Sequence, residues 1–232
     1  MKTNHHFRTG KPPLAALAGC LILTATPAFA VEVLSGFVGP RVINEDVVIP
    51  RNATCVLSGT LIDGDVRVRP GARLVSLGAR VTGNVRAMNS SRVDLRGFTQ
   101  VEGNVRGNRA RSMVLLGGTT VDGDVRFDNS RASSGVDALL VAGANVGGDL
   151  RAEDNAAQLR AAGNLIGGDL VFRDNRRGGY LIRGNWVDGS VRFINNRGQS
   201  VIALNRIDEN LRIRRNSPEP RVGNNLVDGN IR

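Results

Sequence analysis

A six-residue motif recurs along nearly the whole chain and constrains the fold more than any other feature. One clear copy is VDGDVR at residues 121–126. The other copies begin at Ile62, Val81, Val101, Val146, Ile166, Val187, Ile207 and Val227. The starts are 19, 20, 20, 25, 20, 21, 20 and 20 residues apart. A period of this kind is typical of a solenoid, in which each repeat packs only on its neighbours.

Short runs inside each repeat alternate apolar and charged residues, as in VRF at residues 125–127 and 191–193. In a strand, this alternation places the apolar side chains on one side and the arginines on the other. The runs are bounded by Gly, Asn, Asp and Pro, which are the usual signals of strands that end in turns. The sequence after residue 30 shows no helical periodicity, so the repeats predict an all-β fold.

Strands that recur at this spacing without intervening helices pair in parallel only by winding into a β-solenoid. The six-residue sub-periods of a left-handed hexapeptide helix are absent, which favours the right-handed form. We therefore predict a single-stranded right-handed parallel β-helix of about ten coils over residues 46–232. Its interior should contain one stacked column made of Val66, Val85, Val105 and Val125.

Glycine and asparagine also recur in register with the motif. Glycines stand three residues before most motif starts, with Leu204 and Asn224 in the same row. Two asparagine rows accompany them: Asn164, Asn185, Asn205 and Asn225, and Asn155, Asn175, Asn196 and Asn216. Both residue types tolerate positive φ, so we expect all three rows at corners of the coil. Stacked amides there should hydrogen-bond along the solenoid.

The first thirty residues have the features of an export signal. A basic leader precedes an apolar run from Leu14 to Thr24 that is too short to span a bilayer, and residues 28–30 (AFA) form a small-residue cleavage site. We predict a signal peptide over residues 1–30, cleaved after Ala30, and a secreted or periplasmic protein. The alternative is a lipoprotein anchored through Cys20, because residues 17–20 (LAGC) resemble a lipobox. Residues 31–45 lack the motif and are expected to form an N-terminal cap or edge segment.

Cleavage would remove every histidine and lysine. Without Lys2, Arg8 and Lys11, the 31 basic residues become 28 arginines against 21 acidic residues, a net charge of +7. A general base would then have to be a carboxylate, a tyrosine or an arginine. We predict no catalytic residue, no metal and no cofactor. A polysaccharide lyase or hydrolase is the alternative, because β-helices host such enzymes; the longest coil, near Ser130 to Asp137, is only about five residues longer than the others.

Two sets of arginines are candidates for a binding surface. The arginine row occupies the last motif position and comprises Arg67, Arg86, Arg106, Arg126, Arg151, Arg192, Arg212 and Arg232. Acidic residues two positions earlier (Asp65, Asp124, Asp149 and Asp169) and four positions earlier (Asp63, Glu102, Asp122, Asp188, Asp208 and Asp228) should neutralise it. This row is therefore interpreted as a structural face.

The turns after each motif strand hold twelve further arginines against only Asp128, Glu153, Asp154 and Asp174. The strongest candidates, which we call the turn arginines, are Arg109, Arg111, Arg131, Arg176, Arg177, Arg197, Arg214 and Arg215. Guanidinium groups suit carboxylate and phosphate, so these residues predict binding of an acidic polysaccharide or a phosphate-bearing envelope polymer. The alternative is that they are solvated turns. Nucleic acid is disfavoured, because no aromatic residues are interleaved with the arginines.

Four further residues carry smaller predictions. Cys55 is expected in the interior, with dimerisation through its thiol as the alternative. Tyr180 and Trp186 lie in one coil and are expected to fill a wider part of the core, with a sugar-stacking platform as the alternative. The last motif copy ends at Arg232, so we expect the final strand edge either to be protected by charge or to pair end to end with another chain.

Three strings carry a resemblance to a known group: DVVIP at residues 46–50, GDVRVRPGA at 64–72 and GNLIGGDL at 163–170. They resemble secreted bacterial right-handed parallel β-helix repeat proteins, most of which have no assigned activity. A looser similarity is to bactofilins, which are cytoplasmic polymer-forming β-helices with shorter coils. The resemblance implies the fold and says almost nothing about function; the likeness to bactofilins adds only the idea that an uncapped solenoid assembles end to end.

Overall fold

The computed structural model describes residues 31–131 and 137–232. The predicted leader, including Cys20, lies outside the described residues, as do residues 132–136 of the longest coil. Every regular element in the described ranges is a β-strand. No helix within those ranges is long and apolar enough to cross a bilayer.

The chain winds into three parallel sheets of ten strands each, so nine turns separate the first strand of a sheet from its last. Each coil contributes one strand to sheet A, one to sheet B and one to sheet C, in that order. This confirms the predicted all-β parallel solenoid. The right-handed winding stays a prediction based on coil length.

Strands are numbered in chain order. Sheet A contains β1 (Val31–Val33), β4 (Asp46–Ile49), β7 (Val66–Val68), β10 (Val85–Met88), β13 (Val105–Asn108), β16 (Val125–Asp128), β19 (Leu150–Glu153), β22 (Leu170–Arg173), β25 (Val191–Ile194) and β28 (Leu211–Arg214). Sheet B contains β2 (Gly36–Val38), β5 (Thr54–Ser58), β8 (Arg73–Leu77), β11 (Arg92–Arg96), β14 (Ser112–Leu116), β17 (Asp137–Ala142), β20 (Gln158–Ala162), β23 (Tyr180–Arg183), β26 (Ser200–Ala203) and β29 (Arg221–Gly223). Sheet C contains β3 (Val42–Ile43), β6 (Leu61–Ile62), β9 (Arg80–Val81), β12 (Gln100–Val101), β15 (Thr120–Val121), β18 (Asn145–Val146), β21 (Leu165–Ile166), β24 (Trp186–Val187), β27 (Arg206–Ile207) and β30 (Leu226–Val227).

The register of the sheets follows the motif. Val66, Val85, Val105 and Val125 pair directly in successive coils of sheet A and are at most 1% exposed. This confirms the predicted interior column. The first motif residue of each copy lies in sheet C and also faces inward, as Val121 and Val146 show. Aliphatic side chains from all three sheets thus share one core.

Residues 31–45 contain β1, β2 and β3 and form the first coil of the solenoid. Each of these strands pairs on one side only, with β4, β5 and β6 respectively. The segment lacks the six-residue motif but keeps inward-facing apolar residues at Leu34, Val38 and Ile43. It therefore forms the N-terminal edge of all three sheets.

One interior column of sheet A shows how side-chain size is matched along the stack. Gly107, Phe127, Ala152 and Phe172 occupy the same position in successive coils. A Cβ atom at Gly107 would lie 2.9 Å from the Met113 methyl group and 3.0 Å from the Phe127 ring. The absence of a side chain at Gly107 therefore makes room for Phe127, as close packing requires.

The predicted backbone conformation of the corner residues is only partly correct. The glycine row has positive φ, as do Leu204 (57°) and Asn224 (53°), which occupy the same position. The prediction is wrong for the two asparagine rows, which do not have positive φ. Most of their side chains are buried and hydrogen-bond along the stack, so they form the expected amide ladders inside the coil.

Candidate functional site

The turns that lead from a sheet A strand to the next sheet B strand form one continuous edge of the solenoid, which we call the A–B corner. Seven of the turn arginines lie in these turns, and Arg214 is the last residue of β28. All eight are exposed. The structure therefore brings the turn arginines together on one edge, at about 4.8 Å per coil along it.

Part of the corner has an unusual backbone conformation. Arg109, Arg177 and Arg215 have φ of 54°, 59° and 56°. Asn129, Asp154, Asp174 and Asn195 have the same left-handed conformation at the position that Arg109 and Arg215 occupy. Non-glycine residues in this conformation carry strain that is common at binding sites. Asparagine and aspartate adopt this conformation readily, so Asn129, Asp154, Asp174 and Asn195 are a recognisable signal of it in the sequence, whereas the arginines at the same position are not.

Four arginines share a second position, two residues after the left-handed one. They are Arg111, Arg131, Arg176 and Arg197, and we call them the arginine column. The residue between the two positions belongs to the row of the buried asparagine ladder. The backbones of Arg176 and Arg197 form a parallel bridge. Ala156 occupies the same position in the coil between Arg131 and Arg176. Its amide donates to the Ser130 carbonyl at 2.7 Å, and the Arg176 amide makes the equivalent contact with the Asn155 carbonyl at 2.6 Å.

Two adjoining grooves run along this corner. The larger, of about 1030 Å³, is lined by Arg131, Arg176 and Arg177 together with Asp174 and three glycines. The smaller, of about 690 Å³, is lined by Arg109, Arg111 and Arg131. Arg131, Asn129 and Asp154 line both, so the two grooves are continuous. Five of the turn arginines therefore surround a concave surface.

None of the turn arginines has an ion pair or a side-chain hydrogen bond within the described ranges. Asp154, which is exposed between them, is likewise without an ion pair there. These guanidinium groups therefore face solvent with their donor sites open to a ligand.

Unlike the turn arginines, most of the arginine row on sheet A forms ion pairs. Arg67 contacts Asp46 at 2.9 Å, Arg86 contacts Asp65 at 3.7 Å and Arg151 contacts Asp149 at 2.5 Å. Burial raises the pKa of Asp65, but hydrogen bonds from Asn84 and the charges of Arg86 and Arg67 outweigh it and hold that pKa below its usual value. The prediction that this row is largely self-neutralised is confirmed for the residues named here and for Arg126 and Arg192.

The acids expected four positions before the arginine row do not neutralise it. Glu102 contacts Arg80 at 2.7 Å and Asp208 contacts Arg206 at 3.5 Å, both at sheet C. Asp63 accepts a hydrogen bond from the Thr82 hydroxyl at 2.8 Å. The reason is geometric: this position lies just after the sheet C strand, around a turn from sheet A.

Asp128 and Glu153 form a stacked pair of largely buried carboxylates on the outer face of sheet A. Arg126 contacts both, and Arg173 contacts Glu153 at 3.0 Å. Burial raises the pKa of Asp128 against the opposing effect of Arg126, and the charges of Glu153 and Asp154 raise it further. Its Oδ1 atom is buried without a hydrogen-bond partner among the described residues. Neither carboxylate lines the grooves.

The two aromatic residues predicted to fill the core are in different environments. Tyr180 is 3% exposed and contacts Phe193 edge-on, with ring centroids 5.9 Å apart, which confirms the prediction for this residue. The prediction is wrong for Trp186, which is 44% exposed on the outer face of sheet C. Its position in a two-residue strand points it outward, and the Arg206 guanidinium lies 4.5 Å from its ring centroid, a cation–π contact.

Cys55 lies in the core and is completely buried, as predicted. No group of three or more potential ligand side chains in the described ranges is arranged to hold a metal ion.

Comparison of the chain with protein-family models, with curated proteins and with solved structures gives no match. The resemblance to secreted bacterial β-helix proteins is therefore supported by the solenoid architecture alone. The case for function depends on the chemistry of the A–B corner.

Proposed function

We propose that this chain is an exported structural or surface-interaction β-solenoid that binds acidic polymers along its A–B corner. The observation that carries the proposal is the presence, around two continuous grooves, of exposed guanidinium groups that form no ion pair within the described part of the chain. An extended polymer suits such a site, because polar and charged side chains line the grooves over several successive coils.

The contrast between the two sets of arginines supports this function. On sheet A, most of the arginine row is neutralised by nearby carboxylates, so it has little charge left for a ligand. At the A–B corner, arginines outnumber acids and form no ion pairs within the described residues. A concave surface with an excess of one charge concentrates counter-charged ligands and accelerates their association.

Salt-dependent retention on heparin and alginate resins tests the proposal. The test variant carries Arg109→Asn, Arg111→Ser, Arg176→Ser and Arg177→Asn; asparagine is used at the two positions with positive φ. The control variant carries serine at Arg106, Arg183, Arg212 and Arg232, which are exposed and lie outside both grooves. Both variants lose the same charge.

We expect the test variant to elute at much lower salt than the unmodified protein. The control variant should elute at nearly the same salt concentration as the unmodified protein. Equal losses in the two variants would show that only net charge matters. Unchanged elution of the test variant would refute binding at the A–B corner.

A polysaccharide-active enzyme is the second candidate, and the observation that favours it is the buried pair of Asp128 and Glu153. A carboxyl group with a raised pKa next to a second carboxylate is suited to general acid chemistry. The test is the release of new reducing ends or unsaturated products from an acidic polysaccharide. Activity that Asp128→Asn abolishes would establish an enzyme, and its absence over a broad panel of polymers would leave the binding function.

Export and end-to-end association are further parts of the proposal. N-terminal sequencing of the protein recovered outside the cytoplasm should begin at Val31, whereas a lipid-modified Cys20 would indicate the anchored form. Association through the strands of the last coil would show as species whose mass rises with protein concentration.

A further inference from the structure

The A–B corner holds two groups of arginines separated by one coil that has none, and all of these arginines except Arg197 line the grooves. Arg109, Arg111 and Arg131 form the first group, and Arg176, Arg177 and Arg197 form the second. Ala156 fills the intervening place in the arginine column. Two coil steps therefore separate Arg131 from Arg176, a distance of about 10 Å along the axis.

The intervening coil presents an acceptor instead of a cation. Asp154 is exposed there, has no ion pair among the described residues, and lines both grooves. The Asn129 side chain lies in the preceding coil at the same left-handed position and also lines both. Along the groove, two coils with arginines are thus followed by one coil that has the Asp154 carboxylate and no arginine, and then by two further coils with arginines. The first of these last two coils also holds Asp174, a carboxylate that is already paired with Arg173 at 3.4 Å.

This order selects among acidic polymers. Guanidinium groups bind carboxylates through paired hydrogen bonds. A carboxylate such as that of Asp154 accepts hydrogen bonds from sugar hydroxyl groups but repels an anion placed beside it. A polymer with an anionic group on every unit would place one of these groups next to Asp154. A polymer in which charged and neutral units alternate would place hydroxyl groups there.

We infer that the ligand of the A–B corner is a carboxylated polysaccharide in which acidic sugars alternate with neutral, hydroxyl-bearing sugars. The inference rests on the proposed function and specifies its ligand. One carboxylate for every two coils matches the two coil steps between Arg131 and Arg176, the nearest arginines of the two groups. Polyphosphates and polymers of consecutive uronic acids are the competing ligands, and they are outcomes of the test.

The test compares three polymers on the whole protein by titration calorimetry at one fixed ionic strength. Hyaluronan alternates glucuronate with a neutral sugar, polygalacturonate carries a carboxylate on every sugar, and inorganic polyphosphate carries a charge on every unit. Expressed per anionic group, we expect hyaluronan to bind about fivefold to tenfold more tightly than the other two. Equal affinities, or a preference for either competitor, would overturn the inference.

Two variants test the groove directly. Ala156→Arg completes the arginine column, and Asp154→Asn removes the negative charge while keeping a residue that tolerates its φ of 55°. Both should shift the preference toward polymers charged on every unit, and the double variant should reverse the order. Asn145→Arg is the control, because it adds the same charge on the outer face of sheet C.

The outcomes separate the two proposals. If no polymer binds in a salt-dependent way, the proposed function itself fails. If binding depends on the turn arginines but the Ala156 and Asp154 variants leave the order of the polymers unchanged, the alternating-sugar ligand is wrong and polyanion binding stands. Circular dichroism of each variant establishes that the solenoid is folded.

Discussion

Replacing Asn175 with alanine should destabilise the solenoid far more than replacing an exposed asparagine. Asn175 is completely buried in the ladder behind the A–B corner. Its Nδ2 donates to the Ala152 carbonyl at 2.9 Å and to the Asn196 Oδ1 at 2.9 Å. Its Oδ1 accepts from the backbone amide and from the Nδ2 of Asn155, both at 3.0 Å. Alanine would remove all four hydrogen bonds.

The magnitude follows from these contacts. Each intramolecular hydrogen bond contributes about 1 kcal/mol net, and a buried group left without a partner costs about 1 to 3 kcal/mol. Loss of four bonds, with the Asn155 amide groups left unpaired, should lower the free energy of unfolding by about 3 to 5 kcal/mol. Asn145→Ala, on the exposed face of sheet C, should change it by less than about 0.5 kcal/mol.

Equilibrium urea unfolding followed by circular dichroism measures both changes. The comparison of midpoints is sound when the slopes of the two transitions agree, because the slope reports the surface exposed on unfolding. A cost below about 1 kcal/mol for Asn175→Ala, or a cost equal to that of Asn145→Ala, would refute the view that the amide ladder stabilises the stack.

Three further predictions follow from single residues. Leu204→Gly should stabilise the protein by about 1 kcal/mol, because Leu204 has a φ of 57° in a row otherwise held by glycine and asparagine. The measurement is the Tm, which should rise; a lower Tm would contradict this prediction. Cys55 should resist alkylation until the protein unfolds, because burial raises the pKa of its thiol to about 11 despite the nearby charge of Arg41; rapid labelling of the folded protein would be inconsistent. Asp128→Asn should be more stabilising near neutral pH than in acid. Burial raises the pKa of Asp128 in the folded state, so its ionised form opposes folding above that pKa and the penalty disappears as the pH falls through it. Urea midpoints as a function of pH measure this, and a variant that gains stability only in acid would disprove it.

The arrangement of the coils could be predicted from the sequence because the repeat fixes the register. Once Val105 and Val125 occupy the same motif position, parallel stacking places them in one column, and Arg106 and Arg126 follow on the opposite face. The amide ladders were predictable for the same reason. In such a fold, a row in the sequence becomes a column in space.

The finer features of the site were beyond sequence reasoning, because they depend on how the turns are bent. Asn155 and Asp154 are neighbours in the chain, yet the first is buried in a ladder and the second is exposed with a left-handed backbone. The larger groove is lined by residues of several successive turns, among them Gly178, and no single turn in the sequence indicates it. The position of Trp186 likewise depends on the phase of a strand of only two residues.

The most direct test of the central claim, that the A–B corner is the polymer-binding surface, is protection of individual arginines from an arginine-selective dicarbonyl reagent, mapped by mass spectrometry. With saturating acidic polysaccharide, Arg131, Arg176 and Arg177 should be protected, while the exposed residues Arg106 and Arg212 on sheet A should react as they do in the free protein. Equal protection of both sets, or protection of Arg106 and Arg212 alone, would contradict binding at the A–B corner.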